Sequence, residues 1–190
     1  MYITIEKLNK AYGDKQVLRD FSATFPLGEV SVIMGPSGCG KTTLLNILMG
    51  FSSPDGGRIE NLPERIGAVF QEDRLCEDFS ALSNVSMVLT EESRRPRELL
   101  EKLGLGEELH TLVRSLSGGM KRRVAIARAL CYDGDLLILD EAFKGLDEET
   151  KKAVMEHVLR ESTGKTVIAV THDLEEASFL SQTIIQMESL

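Results

Sequence analysis

The chain has 190 residues, with 22 Lys and Arg against 30 Asp and Glu and a net charge of −8; it is long enough for one substantial core, and its acidic balance means no nucleic-acid partner is expected. No apolar run approaches the ~20 residues of a membrane span, and the start, Met1-Tyr2-Ile3-Thr4-Ile5-Glu6, lacks the basic flank and cleavage site of a leader. Cys39, Cys76 and Cys131 form no Cys-x-x-Cys pair, which suits a reducing cytoplasm, and no repeat, low-complexity tract or Pro-rich linker marks a second domain.

Along the chain, alternating apolar residues predict strands over 2–7 and 17–25, followed by a buried strand from Val30 to Met34. That strand runs into Gly35-Pro36-Ser37-Gly38-Cys39-Gly40-Lys41-Thr42-Thr43, which fits G-x-x-x-x-G-K-[ST] and opens a helical pattern over 41–49. Glycines 35, 38 and 40 let the backbone curl so that its N–H groups point at a β-phosphate. Lys41 supplies a point charge between the β- and γ-phosphates, and the Thr42 hydroxyl is expected on Mg²⁺. Cys39, inside this loop, is expected to react with thiol reagents and to be protected by ATP.

Strands follow over 57–60 and 66–70, the second ending at Gln71, and helical patterns lie over 82–89 and 97–103. Next, Ser117-Gly118-Gly119 opens a helix over 117–131. The free N–H groups and dipole of that N-terminus make a second anion site, and this site needs a phosphate to hold. The cluster Lys121-Arg122-Arg123 on the same helix reads as a solvated face.

The run Leu136-Leu137-Ile138-Leu139 is a buried parallel strand ending in Asp140 and Glu141. Its carboxyl end is expected to meet the phosphate loop, with Asp140 holding the Mg²⁺ water shell and Glu141 serving as the base that polarises the attacking water. A helix over 148–161, a strand over 166–171 ending beside His172, a helix over 173–180 and a strand over 183–187 complete the chain. His172 ends a core strand on the same sheet edge as Asp140 and Lys41, whereas His110 and His157 read as structural or surface residues. The pattern predicts an α/β fold: a P-loop NTPase core with a mostly parallel sheet and an N-terminal antiparallel β layer.

Together these motifs, in this order, resemble the ATP-binding subunit of an ABC transporter over nearly the whole chain, with a pattern closest to the ATPases of small-solute importers. The resemblance implies an ATPase with ATP and Mg²⁺ as its ligands. It implies that Tyr12 stacks on adenine, that Gln71 reaches Mg²⁺ and the attacking water, that His172 contacts the γ-phosphate, and that Asp147 in Gly145-Leu146-Asp147 touches an opposite subunit. Thr42, Gln71 and Asp140 would be the metal ligands. Residues 72–131 would form an inserted helical lobe of a single domain whose core is 1–71 and 132–190.

In the family the lobe's phosphate site faces away from the lysine of its own chain, so Ser117, Gly118 and Gly119 would meet the γ-phosphate held by a second ATP-binding subunit, with a homodimer expected. The second partner would be a multi-span membrane permease, which places the chain in the cytoplasm on the inner face of the membrane without inserting into it. Leu75, Phe79 and Leu82 would either line the permease contact or belong to the lobe's own core.

Two departures stand out. Met120 replaces the usual glutamine at the end of the signature, and Ala142-Phe143-Lys144-Gly145 differs from the family pattern in a way that reads as interface tuning. The chain stops soon after Thr183-Ile184-Ile185-Gln186-Met187, so no regulatory domain is expected. A small-molecule P-loop kinase would leave the Ser117-Gly118-Gly119 site and His172 without a purpose. A non-transport ABC ATPase acting on a soluble or nucleic-acid-bound partner stays open as the alternative, although the short interval from Gln71 to Leu116 holds neither the zinc motif nor the heptads of repair members.

Overall fold

The computed structural model describes residues 1–181 and 183–189. In chain order the elements are β1 (Tyr2–Tyr12), β2 (Lys15–Pro26), β3 (Val30–Met34), α1 (Lys41–Leu48), β4 (Gly56–Glu60), β5 (Ile66–Val69), α2 (Ala81–Ser86) and α3 (Arg95–Lys102). They continue with α4 (Gly118–Tyr132), β6 (Leu136–Asp140), α5 (Glu148–Glu161), β7 (Thr166–Val170), α6 (Leu174–Leu180) and β8 (Ile184–Gln186).

The strands form two sheets. β1, β2 and β4 make an antiparallel sheet in the order β2-β1-β4, and the rest form a parallel sheet in the order β5-β6-β7-β3-β8. The hairpin is longer than alternation predicts because its inward phase changes midway. Ile3 and Ile5 point inward, then Leu8, and the pairing shifts register between Ile5 and Leu8. Lys7, with φ of 46°, supplies the extra residue, a bulge that keeps one apolar face on the core across the whole strand.

Every residue of β6 and β7 is buried, as is all of β3 beyond Val30. That is why these segments read as unbroken apolar runs: a parallel strand is covered on both faces. Alternate residues feed two cores. Ile33, Leu136, Ile138, Ile168 and Val170 join α1 and the β1/β2 layer, while Val32, Leu137, Leu139, Val167 and Ala169 join α4 and α5. Each fully buried aliphatic side chain contributes roughly 1.5–3 kcal/mol of transfer free energy. The register places Ile33 and Asp140 both opposite Val170, so three strands deliver their carboxyl ends at one level.

Cys39 falls in the first of these cores. It is buried against the neighbours of Leu44 and Leu45, and its sulfur lies close under Gly35. The expectation of a reactive, ATP-protected loop thiol is therefore overturned, because the loop turns that side chain inward and away from reagent.

The solvated basic face is overturned as well. Arg122 is buried and donates to Phe70 O at 2.7 Å and Gln71 O at 2.6 Å, with Asp73 at 3.2 Å as its ion-pair partner. Six residues on along the same helix, Arg128 donates to Asp73 O at 3.0 Å and Arg74 O at 2.9 Å. Lys121 pairs with Glu77 at 3.0 Å and Arg123 donates to Leu103 O at 2.8 Å. Arg122 and Arg128 are thus taken up by backbone carbonyls of a segment that has no ladder of its own, so α4 holds the chain just beyond β5 in one shape.

Arg122→Met removes the charged donor from two carbonyls and from Asp73, and is expected to lower unfolding free energy by about 3 kcal/mol in urea titrations. In the native protein a thiol reagent should label Cys76, which is exposed, while Cys39 and Cys131, both buried, react after unfolding; mass spectrometry of the labelled peptides reads the order directly.

Candidate functional site

At the carboxyl edge of the parallel sheet lies a cleft of about 750 Å³, within the range of small-molecule sites. It gathers Tyr12, Lys15 and Val17 from the hairpin; Gly35, Ser37, Gly38, Gly40, Lys41, Thr42 and Thr43 from the β3–α1 turn; Gln71; Asp140, Glu141 and Lys144; and Val170 and His172. Pro36 and Cys39 belong to the same turn without lining the cleft.

Two glycines shape that turn by close approach. A Cβ on Gly35 would sit 2.3 Å from Met187 O. Gly40, at φ of +105°, would place one 2.9 Å from the Leu18 side chain and 3.0 Å from Val17 O. Gly40 also occupies the N-cap position of α1, where no side chain caps the helix and no acid sits in the first turn. The first N–H groups of α1 are thus left for an anion. α5 and α6 are built the other way, each capped by an aspartate, Asp147 and Asp173, with two glutamates in the first turn. The Lys41 amine lies over the loop, donating to Gly35 O at 2.7 Å and Pro36 O at 2.8 Å.

Across the cleft the adjacent acids are treated differently. Asp140 is 8% exposed, and burial together with the neighbouring Glu141 charge pushes its carboxyl above the usual range, against the pull of Lys41. Burial also pushes Glu141 up, but Lys144 and then His172 outweigh it and hold that carboxyl below its ordinary value. The Lys144 Nζ lies 3.1 Å from Oε2 of Glu141, and His172 Nδ1 lies 3.3 Å from Oε1. The backbone of Glu141 turns at φ of 47°, with its N–H donating to Val170 O at 2.9 Å. That left-handed residue swings the side chain from the strand direction into the cleft.

Ser117, Gly118, Gly119 and Asp147 do not reach this cleft. Ser117 caps α4, its hydroxyl oxygen accepting from Met120 N at 3.3 Å, and the first turn carries no acid. Gly119 faces the Gly145-Leu146 turn, with Leu146 3.5 Å from where its Cβ would stand. Asp147 accepts from Thr150 N at 3.0 Å as the cap of α5. Three helix N-termini carry no first-turn acid: α1 in the cleft, α4 outside it, and the six-residue α2, which is capped by Ser80. Met120 turns its side chain onto the core and makes no polar contact there.

Sequence reasoning missed several residues. In the departure at 142–145, Ala142 and Phe143 are buried core residues and Lys144 lines the cleft, so two residues close the core and the third faces the site. Lys15 and Val17 carry no motif, and their position on the hairpin wall becomes visible once Tyr12 is placed. Of the residues offered for a permease contact, Leu75 and Leu82 pack against the core while Phe79 stays exposed. A separate apolar cavity of about 460 Å³ lies instead between Met49, Phe51, Ile66, Phe70, Met87, Val88 and Tyr132, with Phe51 62% exposed. Scattered over four segments, these residues form no local pattern.

The chain matches known proteins over most of its length. The family model described as ABC transporter covers residues 18–144. The taurine import ATP-binding protein of Pseudomonas aeruginosa (strain UCBPP-PA14) is 40% identical over 190 residues, spanning 92% of this chain and 72% of that protein. The sulfate/thiosulfate import ATP-binding protein of Neisseria meningitidis is 37% identical over 210 residues, spanning 98% of this chain and 59% of that protein. A dimeric ATP-binding cassette solved in a post-hydrolysis state with ADP and Pi superposes with a TM-score of 0.87 at 30% identity, covering 98% of this chain and 96% of that one. The fold, the cleft and these likenesses agree: the chain belongs to the ABC transporter family and is an ATPase of the kind that powers transport.

Proposed function

We propose that the chain is the ATP-binding subunit of a solute importer, acting as a dimer beneath a separate membrane permease. The observation that carries this is the pair of helix N-termini, α1 inside the cleft and the Ser117-capped α4 outside it. A single γ-phosphate satisfies both when two copies face each other, which suits the dimeric cassettes that the fold resembles. Curated relatives named as import ATP-binding proteins support the direction of transport. The solute itself would touch the permease and not this chain.

In this reading ATP lies with its base on Tyr12 and its phosphates along residues 35–43, where Lys41 and the α1 N-terminus offset the charge. Thr42, Gln71 and Asp140 would hold Mg²⁺, and their chemistry fits a hard cation. Asp140 is a buried carboxylate crowded by Glu141, a strain that a cation relieves. The ion would supply charge neutralisation at the phosphate oxygens. Glu141, kept ionised by Lys144 and His172, accepts the proton of the attacking water at its carboxylate, while His172 and Gln71 stand at the γ-phosphate end. Loss of the γ-phosphate removes the bridge between copies, and the dimer opens.

Residues 72–131 would act as the lobe that carries Ser117 to the partner, on a core of 1–71 and 132–190. α2 and α3 pack on α4, and their core runs without a break into the sheet through Val69, Leu137 and Leu139, so lobe and sheet would move as coupled bodies. The apolar cavity around Phe51 and Met87 borders the start of this lobe and would take a short helix of the permease. Among the described residues no helix is long and apolar enough to cross a membrane, so attachment through such a partner would hold the chain at the inner face.

Glu141→Gln should retain ATP affinity, lower turnover by about 10²- to 10⁴-fold and accumulate a dimer in size-exclusion chromatography with ATP and Mg²⁺. Lys41→Ala should instead lose nucleotide affinity in calorimetry. Tagged Glu141→Gln protein drawn from its native membranes with ATP should bring a multi-span membrane protein; a purely soluble partner, ribosomes or DNA would point to a non-transport ATPase.

A further inference from the structure

Lys144 has no part in the mechanism so far beyond its charge, yet its geometry is specific. Its backbone N–H donates to Glu141 O at 3.2 Å, closing the turn after β6, and the same turn brings its amine back to 3.1 Å from Glu141 Oε2. His172 Nδ1 stands 3.3 Å from the other carboxylate oxygen. The carboxylate is the sheltered member of this bridge: the Glu141 side chain is 19% exposed, against 59% for Lys144 and 65% for His172.

The last torsion of a glutamate is broad and roughly two-fold, so a carboxylate held by one partner rotates easily. A partner on each oxygen, the Lys144 amine on one and the His172 ring on the other, fixes its plane. For a base, the direction of the lone pair toward the attacking water decides how often the reactive arrangement forms. Of the other lysines lining the cleft, Lys15 and Lys41, the second has its amine on Gly35 O and Pro36 O. Lys144 is the lysine paired with Glu141, at 3.1 Å. From this geometry we infer that Lys144 is a positioning residue for hydrolysis, which sets the orientation of the Glu141 carboxylate from the side opposite His172.

The inference rests on Glu141 being the base. The pair is solvent-facing, so the effect is modest: Lys144→Met should lower kcat roughly three- to fivefold with KM for ATP unchanged, the scale of an exposed ion pair. Lys144→Arg, which keeps a cation within reach of the carboxylate, should recover most of the rate. Affinity for a non-hydrolysable ATP analogue, measured on each variant, shows that the cleft is assembled. In the Glu141→Gln background, Lys144→Met should change the residual rate by less than twofold, because its route of action is already gone.

An unchanged kcat, an increased kcat, a raised KM at constant kcat, or an equal loss in the Met and Arg variants would each overturn the role. So would an undiminished effect of Lys144→Met in the Glu141→Gln background. Normal turnover by Glu141→Gln itself would overturn the base assignment instead, which separates the two failures.

Discussion

Everything at the site depends on a parallel sheet buried on both faces. Such a sheet needs strands that are apolar on both sides, and its connections bring every carboxyl end to the same edge. In this chain β3, β6 and β7 are neighbours in register, so the phosphate turn, the paired acids and His172 emerge side by side from one rigid layer. The loops that follow have little freedom. Gly35 is pressed against Met187 O on β8's side of the sheet, and Glu141 is tied to Val170 O on β7. Catalytic geometry is therefore paid for by core packing, and polar side chains need only short reach.

Beyond this edge the chain is organised by arginines. α4 begins at the outward-facing Ser117 turn and then uses Arg122 and Arg128 to grip the carbonyls of Phe70, Gln71, Asp73 and Arg74. A single helix thereby connects the Ser117 turn to the segment carrying Gln71, which lines the cleft. A phosphate bound at the α4 N-terminus and a ligand in the cleft would act on opposite ends of one stiff element. That arrangement suits a clamp whose closure must be felt at both places.

Much of this was legible in the sequence, and for physical reasons. Buried parallel strands write themselves as apolar runs, and the phosphate turn needs glycines at set spacings before a lysine. Every predicted helix and strand over the described residues has its counterpart. What escaped were matters of side-chain direction and of distant assembly. Arg122 read as solvated because a basic triplet carries no sign of the carbonyls waiting beneath it. Cys39 read as reactive because its place in a helix-opening loop is visible, whereas the inward turn of its side chain is set by neighbours such as Leu44 far from any motif. Lys144 read only as part of a departure ascribed to interface tuning, because its partner, Glu141, is reached by a backbone turn with φ of 47° that no residue pattern announces. The cavity around Phe51 draws on β5, α4 and two connecting segments, so no local window contains it.

The central claim is that the two anion sites of one chain complete each other across two copies. Cysteines introduced as Ser37→Cys, in the cleft, and Ser117→Cys, at the α4 turn, with Cys76 replaced by Ser, test it by oxidative cross-linking in the Glu141→Gln background. The account predicts a covalent dimer that forms with ATP and Mg²⁺ and fails to form without nucleotide. Cross-linking indifferent to nucleotide, or a bond confined to a single chain, would contradict it.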